Sequence, residues 1–449
     1  MTGPVNVNSS ERYSVKDRME RLPISNYHRL VCFALFISWF CEAIDLGGTG
    51  FLMPLILQHF HLTAVQGGYF SSLAFAGMMI GSLFAGALSD TFGRTRLVCC
   101  CMVVWGIAGM FMAFAQNIPW LFTARFILGL GLGAQVPVAM AYLSEIIPTH
   151  SRAKYMTFYQ MLVPVGIAFA GLLTVLILPH FGWRGVYFAE SIPALSLFLI
   201  MKFCPESGFW LESRGRLAEA DAIADHWEYR VKKDNNLTEL PPVVRATEMR
   251  EPGKISELFS KKYSKILAMA LIWYTACMMS DYGLATWLTT LLVAKGFDVI
   301  RSTGFVAIGV CGGIPAWFFT AWVTEKFGRK WGIFICSILT AIFAYLYGSS
   351  TTMTMLIIFG IFYQFGKYGL AMSNNVYTPE LFETHLRATG NGFTLACGRM
   401  GSMLGPMVLA FVMSSLGANA TFYVAAGIAL LSGIAVMILG PETKGKQLR

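Results

Sequence analysis

Several charged residues lie inside long apolar stretches of this chain, where a charge is expensive to bury. The candidates are Glu42, Asp45, Arg125, Asp281, Lys367 and Arg399. A charged side chain at the centre of a lipid bilayer costs at least ~2.5–3.5 kcal/mol, and such residues typically mark substrate or ion pathways. Glu42 and Asp45 are three positions apart, so they share one face of a helix. We therefore treat each of these residues as a candidate for binding or for proton transfer.

The stretches that must position these charges are long enough to cross a membrane. Of 449 residues, 55% are hydrophobic and 13% are charged, and the mean hydropathy is +0.58. A spanning helix needs roughly 20 apolar residues. We predict an all-α membrane protein with twelve transmembrane helices in two pseudo-symmetric six-helix bundles. The predicted spans are 29–57, 65–88, 96–115, 120–143, 155–178, 185–203, 266–294, 302–323, 331–349, 353–374, 387–414 and 420–440.

This division predicts five segments. They are an N-terminal segment 1–28, a bundle 29–203, a polar linker 204–262 that contains Pro241-Pro242, a second bundle 263–440 and a tail 441–449. Lys and Arg lie mostly on one side of the predicted spans, at Arg94, Arg96, Arg152, Lys154, Arg214, Arg216, Lys261, Lys262, Arg329, Lys330, Arg387, Lys444 and Lys446. Loops 58–64, 116–119, 350–352 and 415–419 have none, whereas Lys295 and Arg301 break the pattern. Positive residues favour the cytoplasmic side, so we expect both termini and the linker to be cytoplasmic.

The same features exclude other classes of protein. The formal charge of +9 is explained by membrane topology, so we expect no nucleic-acid partner. Residues 1–28 are polar and the first apolar run is too long for a cleavable signal peptide. The ten cysteines show no metal-like pairing, and no nucleophile with a base or phosphate-binding loop is apparent. We expect neither an enzyme nor a metal site nor an organic cofactor.

Three short patterns recur at nearly constant spacing. Asp90, Gly93 and Arg94 return as Glu325, Gly328 and Arg329 with a shift of 235 positions; Glu145 and Arg152 return as Glu380 and Arg387 with the same shift; and Pro205-Glu206-Ser207 returns as Pro441-Glu442-Thr443 with a shift of 236. Three repeats in register predict two homologous halves. Internal symmetry of this kind is typical of secondary transporters, whose halves rock about a central site.

The repeated Gly86-x-x-x-Asp90-x-x-Gly93-Arg94 pattern resembles the loop signature of the major facilitator superfamily. Arg125-Phe-x-x-Gly129-x-Gly131-x-Gly133 and the Pro205 and Pro441 patterns resemble the sugar-porter-like branch. Residues 21–28, 377–382, 386–390 and 398–401 are similar to bacterial niacin transporters and to the organic-ion and synaptic-vesicle-like transporters, and Glu42-x-x-Asp45 resembles the first helix of aromatic-acid/proton symporters.

The resemblance implies roles for the buried charges. By position, Asp45 is the implied proton-binding acid and Arg125 its partner, with Glu42 as the alternative proton site. The proton would be the coupling ion. Arg399 matches a position used for the substrate carboxylate, which its planar guanidinium can hold with two hydrogen bonds. Asp281 and Lys367 have no counterpart in the family, and they could either form a structural pair or bind a second acidic group.

Aromatic residues near these charges could stack on a flat ring. Tyr282 and Tyr368 each neighbour a buried charge, so we expect both to face the cavity, and Trp39 and Tyr274 are further substrate candidates. The repeated polar cluster is interpreted as an inner gate that would hold the halves together when the protein is open outward. Its members are Asp90, Arg94, Glu145, Arg152, Glu206, Glu325, Arg329, Glu380, Arg387 and Glu442.

The sequence therefore predicts a monomeric, proton-coupled uptake carrier for a small organic acid in a bacterial inner membrane, with an aromatic or heteroaromatic ring as the expected substrate. Three other transport functions stay open. A proton-exchange exporter of drugs or metabolites shares the expected fold, although the excess positive charge of the second half argues against it. Uptake of a sugar or of an organic cation is the other possibility, but a neutral ligand needs no unpaired Arg. A non-transporting sensor would need an added signalling domain.

Overall fold

The computed structural model describes residues 12–243, 255–383 and 385–445. Parts of the predicted N-terminal segment, linker and tail, including Lys446, lie outside the described residues. The described chain is almost entirely helical. Its helices are α1 (Val15–Glu20), α2 (Asn26–His59), α3 (Ala64–Phe92), α4 (Arg94–Ala113), α5 (Ile118–Ile146), α6 (Thr149–Ser191), α7 (Leu197–Phe203), α8 (Gly208–Ser213), α9 (Leu217–Asp234), α10 (Ile255–Leu258), α11 (Ser264–Ala294), α12 (Val299–Val310), α13 (Gly313–Phe327), α14 (Arg329–Ser349), α15 (Met353–Glu380), α16 (Arg387–Leu416) and α17 (Ala418–Leu439).

Ten helical segments of the described chain are long and apolar enough to cross a membrane. One of them, Thr149–Phe203, has 55 residues and holds two crossings, because the chain reverses at Gly182. The ring of Trp183 lies 5.3 Å from that of His59 at one end of α2, whereas the Cys204 thiol lies 3.9 Å from the Val31 carbonyl oxygen near the other end. The 31-residue α11 is about 46 Å long and adds the remaining crossing. The described chain thus contains two sets of six crossings, as predicted.

Two predicted spans are interrupted in the structure. Predicted span 302–323 is two helices, α12 and α13, separated at Cys311 and Gly312. The local sequence favours a break here, because Pro315 cannot donate a backbone hydrogen bond to the Cys311 carbonyl and Gly312 and Gly313 are poor helix formers. The ring of Tyr368 packs against Gly313, where a Cβ atom would lie 2.3 Å from it. Predicted span 185–203 contains a 3-10 turn at Ile192–Ser196, where Pro193 cannot donate a backbone hydrogen bond.

Small residues let the helices of each half pack closely. A Cβ atom on Gly77 would lie 2.4 Å from the Phe126 carbonyl oxygen, and one on Gly129 would lie 2.1 Å from the Ala74 carbonyl oxygen. Close packing of this kind is how transmembrane helices associate without a hydrophobic driving force between them. The backbones of helices α3 and α5 are therefore in contact. This contact fixes the position of α5, which carries Arg125, against α3.

The hydrogen bond and the ring contact that join the two halves lie towards one side of the interface. We call the side that holds the linker helices α8 and α9 the terminus side, and the opposite side the far side. From the far side towards the centre, the Ser72 hydroxyl donates to the Met403 carbonyl at 2.6 Å, and the Phe75 and Tyr282 rings are 4.9 Å apart. Nearer the termini than Arg399, the ion pairs of Arg94 and Arg329 are each made within one half. These contacts close the interface between the halves on the far side.

Two basic residues on the far side have structural partners. The Arg184 guanidinium donates to the Ala115 carbonyl at 2.8 Å and lies over the Trp183 ring, 4.3 Å from its centroid. The Lys295 ammonium donates to the carbonyls of Tyr347 and Ser350 at 3.4 and 2.9 Å, at the end of α14. Arg184 was missing from the predicted exceptions to the charge pattern. Both side chains satisfy carbonyl groups that a helix end leaves without partners.

Candidate functional site

A group of buried charges lies in the first half, between α2, α5 and α6. Asp45 and Arg125 are only 2% and 3% exposed, and they interact electrostatically without forming a direct ion pair. Asp45 Oδ2 and the Nε and Nη1 atoms of Arg125 have no hydrogen-bond partner, although the guanidinium carbon lies 5.7 Å from the centroid of the Phe70 ring. Buried polar groups are normally hydrogen-bonded. This site therefore has unused capacity for a proton, water or a ligand.

Glu190 belongs to the same group and was not predicted. It is fully buried, neither of its carboxylate oxygens has a hydrogen-bond partner, and it interacts electrostatically with Asp45 and Arg125. The carboxylate packs directly on α2, since a Cβ atom on Gly48 would lie 2.0 Å from Glu190 Oε1. The sequence could have identified Glu190 as a candidate, because it lies inside predicted span 185–203, where a charged side chain is costly. Two acids thus lie near one Arg.

Glu42 lies one turn from Asp45 and faces the second half of the protein. It is 2% exposed, its Oε2 atom has no hydrogen-bond partner, and it interacts electrostatically with Arg399. Trp39 stacks on Tyr159 beside it, with ring centroids 5.0 Å apart and an angle of 11°. The indole nitrogen of Trp39 and the Tyr159 hydroxyl also lack partners. Polar atoms of the first half therefore surround Glu42 without satisfying it.

Arg399 is the cationic group of the second half at the interface. It lies on α16, and its Nη1 atom is 3.9 Å from the Met78 sulfur of α3. No described carboxylate forms an ion pair with it. Tyr274 packs beside it, since a Cβ atom on Gly398 would lie 2.3 Å from the Tyr274 ring. Tyr282 interacts electrostatically with both Arg399 and Glu42, so the predicted Arg399, Tyr274 and Tyr282 lie together.

Asp281 and Lys367 form an ion pair inside the second half. Lys367 Nζ lies 2.6 Å from Asp281 Oδ1, and the two side chains are 9% and 16% exposed. The ammonium also lies 5.1 Å from the centroid of the Tyr368 ring. Next to the pair is a cavity lined by Cys277, Ser280, Thr340 and Tyr363, among other residues, with room for about one water molecule. The structure shows the ion pair of the first predicted alternative, and binding of a second acidic group by Lys367 stays a prediction.

The repeated polar residues of the first half form one cluster on the terminus side. The Arg94 guanidinium lies 2.7 Å from Asp90 and 3.3 Å from Glu145. The Glu206 carboxylate accepts the backbone N–H groups of Arg94 and Thr95 at 2.7 and 3.1 Å, which caps the start of α4. Gly93 has φ = 98°, which favours glycine, and a Cβ atom there would lie 2.4 Å from Glu206.

The second half repeats this cluster with one departure. The Arg329 guanidinium lies 3.0 Å from Glu380, and the Glu442 carboxylate accepts the Arg329 backbone N–H at 3.0 Å. Gly328 repeats the positive φ, at 108°. Glu325, however, is exposed and pairs with no cation of the described chain, unlike its counterpart Asp90. The second half therefore preserves the helix cap by Glu442 and the Arg329–Glu380 ion pair, but it lacks an ion pair that corresponds to the one between Arg94 and Asp90.

The remaining predicted gating residues lie at the edges of these clusters. Arg152 donates to the Ile147 carbonyl at 3.2 Å and lies 3.6 Å from Glu20 of α1, whereas Arg387 is the first residue of α16. The ion pairs of Arg94, Arg152 and Arg329 each lie within one half. The prediction that such residues hold the halves together in an outward-open state stays a prediction.

Two six-helix bundles with buried charges near the interface between them are typical of a secondary transporter. The sequence matches the profile of the family described as Sugar (and other) transporter over residues 6–449. The chain belongs to this family of the major facilitator superfamily, whose members are transporters rather than enzymes.

Three known proteins illustrate the relationship. The niacin transporter NiaP of Acinetobacter baylyi is 32% identical over 437 residues, which cover 96% of this chain and 98% of that protein. The 4-hydroxybenzoate transporter PcaK of the same organism is 27% identical, over 88% of this chain and 86% of that protein. The structure of the xylose transporter XylE from E. coli, in a partially occluded inward open conformation, matches with a TM-score of 0.72 and 16% identity over 93% of this chain and 100% of that chain. The last comparison shows the fold alone.

Proposed function

We propose that the protein imports small aromatic or heteroaromatic carboxylates together with protons, in a bacterial inner membrane. The observation that carries this proposal is Arg399, a guanidinium at the interface between the halves to which the described residues offer no ion-pair partner. A planar guanidinium binds a carboxylate with two parallel hydrogen bonds, so an anionic substrate complements it. The Asp281–Lys367 pair neutralises itself. Arg399 is then the group of the second half that can hold the carboxylate.

The relatives support the same class of substrate. Similar proteins bear the names of a niacin transporter and a 4-hydroxybenzoate transporter, and both compounds are flat rings that carry one carboxyl group. The rings of Tyr274 and Tyr282 lie beside Arg399 and could stack on such a substrate. A sugar offers no charge for Arg399, and an organic cation would be repelled by it. Both of these predicted alternatives are therefore less well supported.

The proton would bind in the first half, at Asp45. Arg125 stabilises the carboxylate of Asp45, whereas dehydration stabilises its protonated form, so a movement that changes either effect changes proton binding. Glu190 is a second acid within electrostatic reach of the same Arg, so two acids share one cation. Glu42 faces Arg399 instead. We therefore favour Asp45, with Glu190 beside it, over Glu42 as the proton site.

Alternating access would expose the cavity to each side in turn. If the side rich in Lys and Arg is cytoplasmic, the far side faces outward. Because the halves contact each other on the far side, the structure then corresponds to an inward-open state. The clusters around Arg94 and Arg329 would then rearrange to close the cytoplasmic side. One chain supplies both halves of the cavity, so we propose that the monomer is sufficient for transport.

A thermal-shift screen of the purified full-length protein tests the substrate class. A ligand that binds the folded state stabilises it by about 2.7 kcal/mol at a concentration of 100 times the Kd. We expect aromatic monocarboxylates to raise the unfolding temperature, and sugars and organic cations to leave it unchanged. Arg399→Lys keeps the charge but loses the planar group, so it is the matched control and should lose the response. Stabilisation by a sugar alone would contradict the proposal.

A further inference from the structure

On the terminus side, a histidine lies between the end of the linker and the start of α16. His385 Nε2 is 3.3 Å from a Glu257 oxygen of α10, and His385 Nδ1 is 3.8 Å from a Glu383 oxygen. The three side chains are 31%, 48% and 41% exposed, so protons from water can reach them. The rings of Phe259 and Phe393 pack edge to face beside them, 6.2 Å apart. We call the pairing of His385 with the two carboxylates the histidine contact.

The other groups near His385 keep their charge while the imidazole changes its own. Lys262 donates to Glu383 at 2.5 Å, and this ammonium lowers the pKa of the Glu383 carboxyl. Burial raises the pKa of Tyr263, which is within electrostatic reach of Glu383, and Arg387 begins α16 two positions after His385. Among side chains of ordinary pKa, the imidazole is the one that gains a charge between about pH 8 and pH 5.

The protonation of His385 decides how many carboxylates it can hold. A neutral imidazole has one N–H group and donates to one carboxylate, whereas a protonated imidazole donates from both nitrogens and adds a charge. Both pairs therefore form as the pH falls through the imidazole range, and they weaken as the pH rises. We propose that the histidine contact is a pH-sensitive switch, which in acid ties α10 to the start of α16 and thereby slows the transport cycle.

A tie at the start of α16 acts on transport because this helix lies at the interface between the halves. Ser72 of α3 donates to the Met403 carbonyl of α16, and Arg399 lies on the same helix. Alternating access requires contacts between the halves to open in one state and to form in the other. In the proposed orientation the switch responds to acid inside the cell, which proton-coupled import produces. That last step rests on the proposed function.

The internal repeat supplies a matched control. Thr149-His150 and Thr384-His385 are related by the same shift of 235 positions as the other repeated patterns, and each His precedes an Arg by two positions. His150 is exposed and forms no ion pair with a residue of the described chain. His150→Gln therefore removes the equivalent imidazole without removing such a contact.

Hydrogen exchange of the purified full-length protein, followed by mass spectrometry between about pH 5.5 and 7.5, tests the contact. Rates are corrected for the intrinsic pH dependence of exchange. An exposed ion pair corresponds to about fivefold or less in an equilibrium constant, so we expect protection of α10 and of residues 385–393 to rise about two- to fivefold in acid. His385→Gln should abolish this rise and Glu257→Gln should reduce it, whereas His150→Gln should keep it. The same rise in His385→Gln would overturn the proposal.

The effect on transport is tested by exchange of labelled for unlabelled nicotinate or 4-hydroxybenzoate in proteoliposomes, with equal pH on both sides. We divide the rate at the acidic pH by the rate at the neutral pH. This ratio should be about two- to fivefold lower in the wild type and in His150→Gln than in His385→Gln. Equal ratios in all three proteins would overturn the proposal. If no protein exchanges either probe, the proposed function is contradicted, and the hydrogen exchange of the two His variants still decides whether the switch exists.

Discussion

Replacing one member of the Asp281–Lys367 pair should destabilise the protein far more than replacing both. The charged atoms are 2.6 Å apart and the side chains are 16% and 9% exposed, so either single change leaves a charge buried without its partner. Breaking a buried pair in this way costs about 3–5 kcal/mol, whereas replacing both partners by neutral groups is often close to neutral. We therefore expect Asp281→Asn and Lys367→Met each to lower the free energy of unfolding by about 3 kcal/mol or more. The double variant should regain most of this loss.

The assay is a double-mutant cycle, with the free energy of unfolding measured for all four proteins in detergent. The exposed pair of Asp298 and Arg301 is the matched control, with charged atoms 3.1 Å apart and side chains 54% and 72% exposed. Exposed pairs contribute about 0–1 kcal/mol, so the cycle of Asp298→Asn and Arg301→Met should give a coupling near zero. Two stable single variants at Asp281 and Lys367 would refute the reasoning. A stable double variant that selectively loses affinity for dianions would instead assign Lys367 to the substrate.

Two further predictions concern the site, and a third concerns the contact of the N-terminal segment with α9. Arg399→Ala and Arg399→Lys should both abolish uptake of the acid while leaving membrane insertion intact, and wild-type affinity in the Lys variant would contradict two-point carboxylate binding. Asp45→Asn should stop accumulation driven by a proton gradient but still allow exchange of labelled for unlabelled substrate, because an amide imitates the protonated acid; full accumulation would exclude Asp45 as the proton site. Burial raises the pKa of the Glu228 carboxyl, but hydrogen bonds from Arg18 and Arg21 outweigh this, and the pKa lies below its ordinary value. Ionised Glu228 therefore stabilises the contact of α1 with α9 at pH values above the ordinary carboxylate pKa, and this contribution is lost as the pH falls through the folded-state pKa. We expect proteolysis of the N-terminal segment to increase in acid. Glu228→Gln should remove most of that pH dependence.

The repeated patterns could be predicted from sequence because the constraint on them is local. Gly93 and Gly328 both require a positive φ, and each is followed at once by an Arg whose backbone N–H is capped by a Glu. Such a constraint leaves the same residues at the same spacing in both halves. The constant spacing of the repeated patterns was therefore enough to indicate the duplication and the polar clusters.

Other features depend on contacts between distant segments and could not be predicted. Whether Asp281 pairs with Lys367 depends on how α11 and α15 are oriented, which hydropathy does not determine. Glu190 is a different case: the cost of a buried charge identified it as a candidate, and only its proximity to Asp45 and Arg125 required the structure.

The central claim is that a proton gradient drives the uptake of an aromatic carboxylate. The most direct measurement is uptake of labelled nicotinate and labelled 4-hydroxybenzoate into proteoliposomes that contain only this protein, with and without an imposed pH gradient, acidic outside. We expect at least one acid to accumulate above its external concentration while the gradient lasts, with movement of protons into the vesicles, and a protonophore should abolish the accumulation. Uptake that merely reaches equilibrium and does not respond to the gradient would contradict the account.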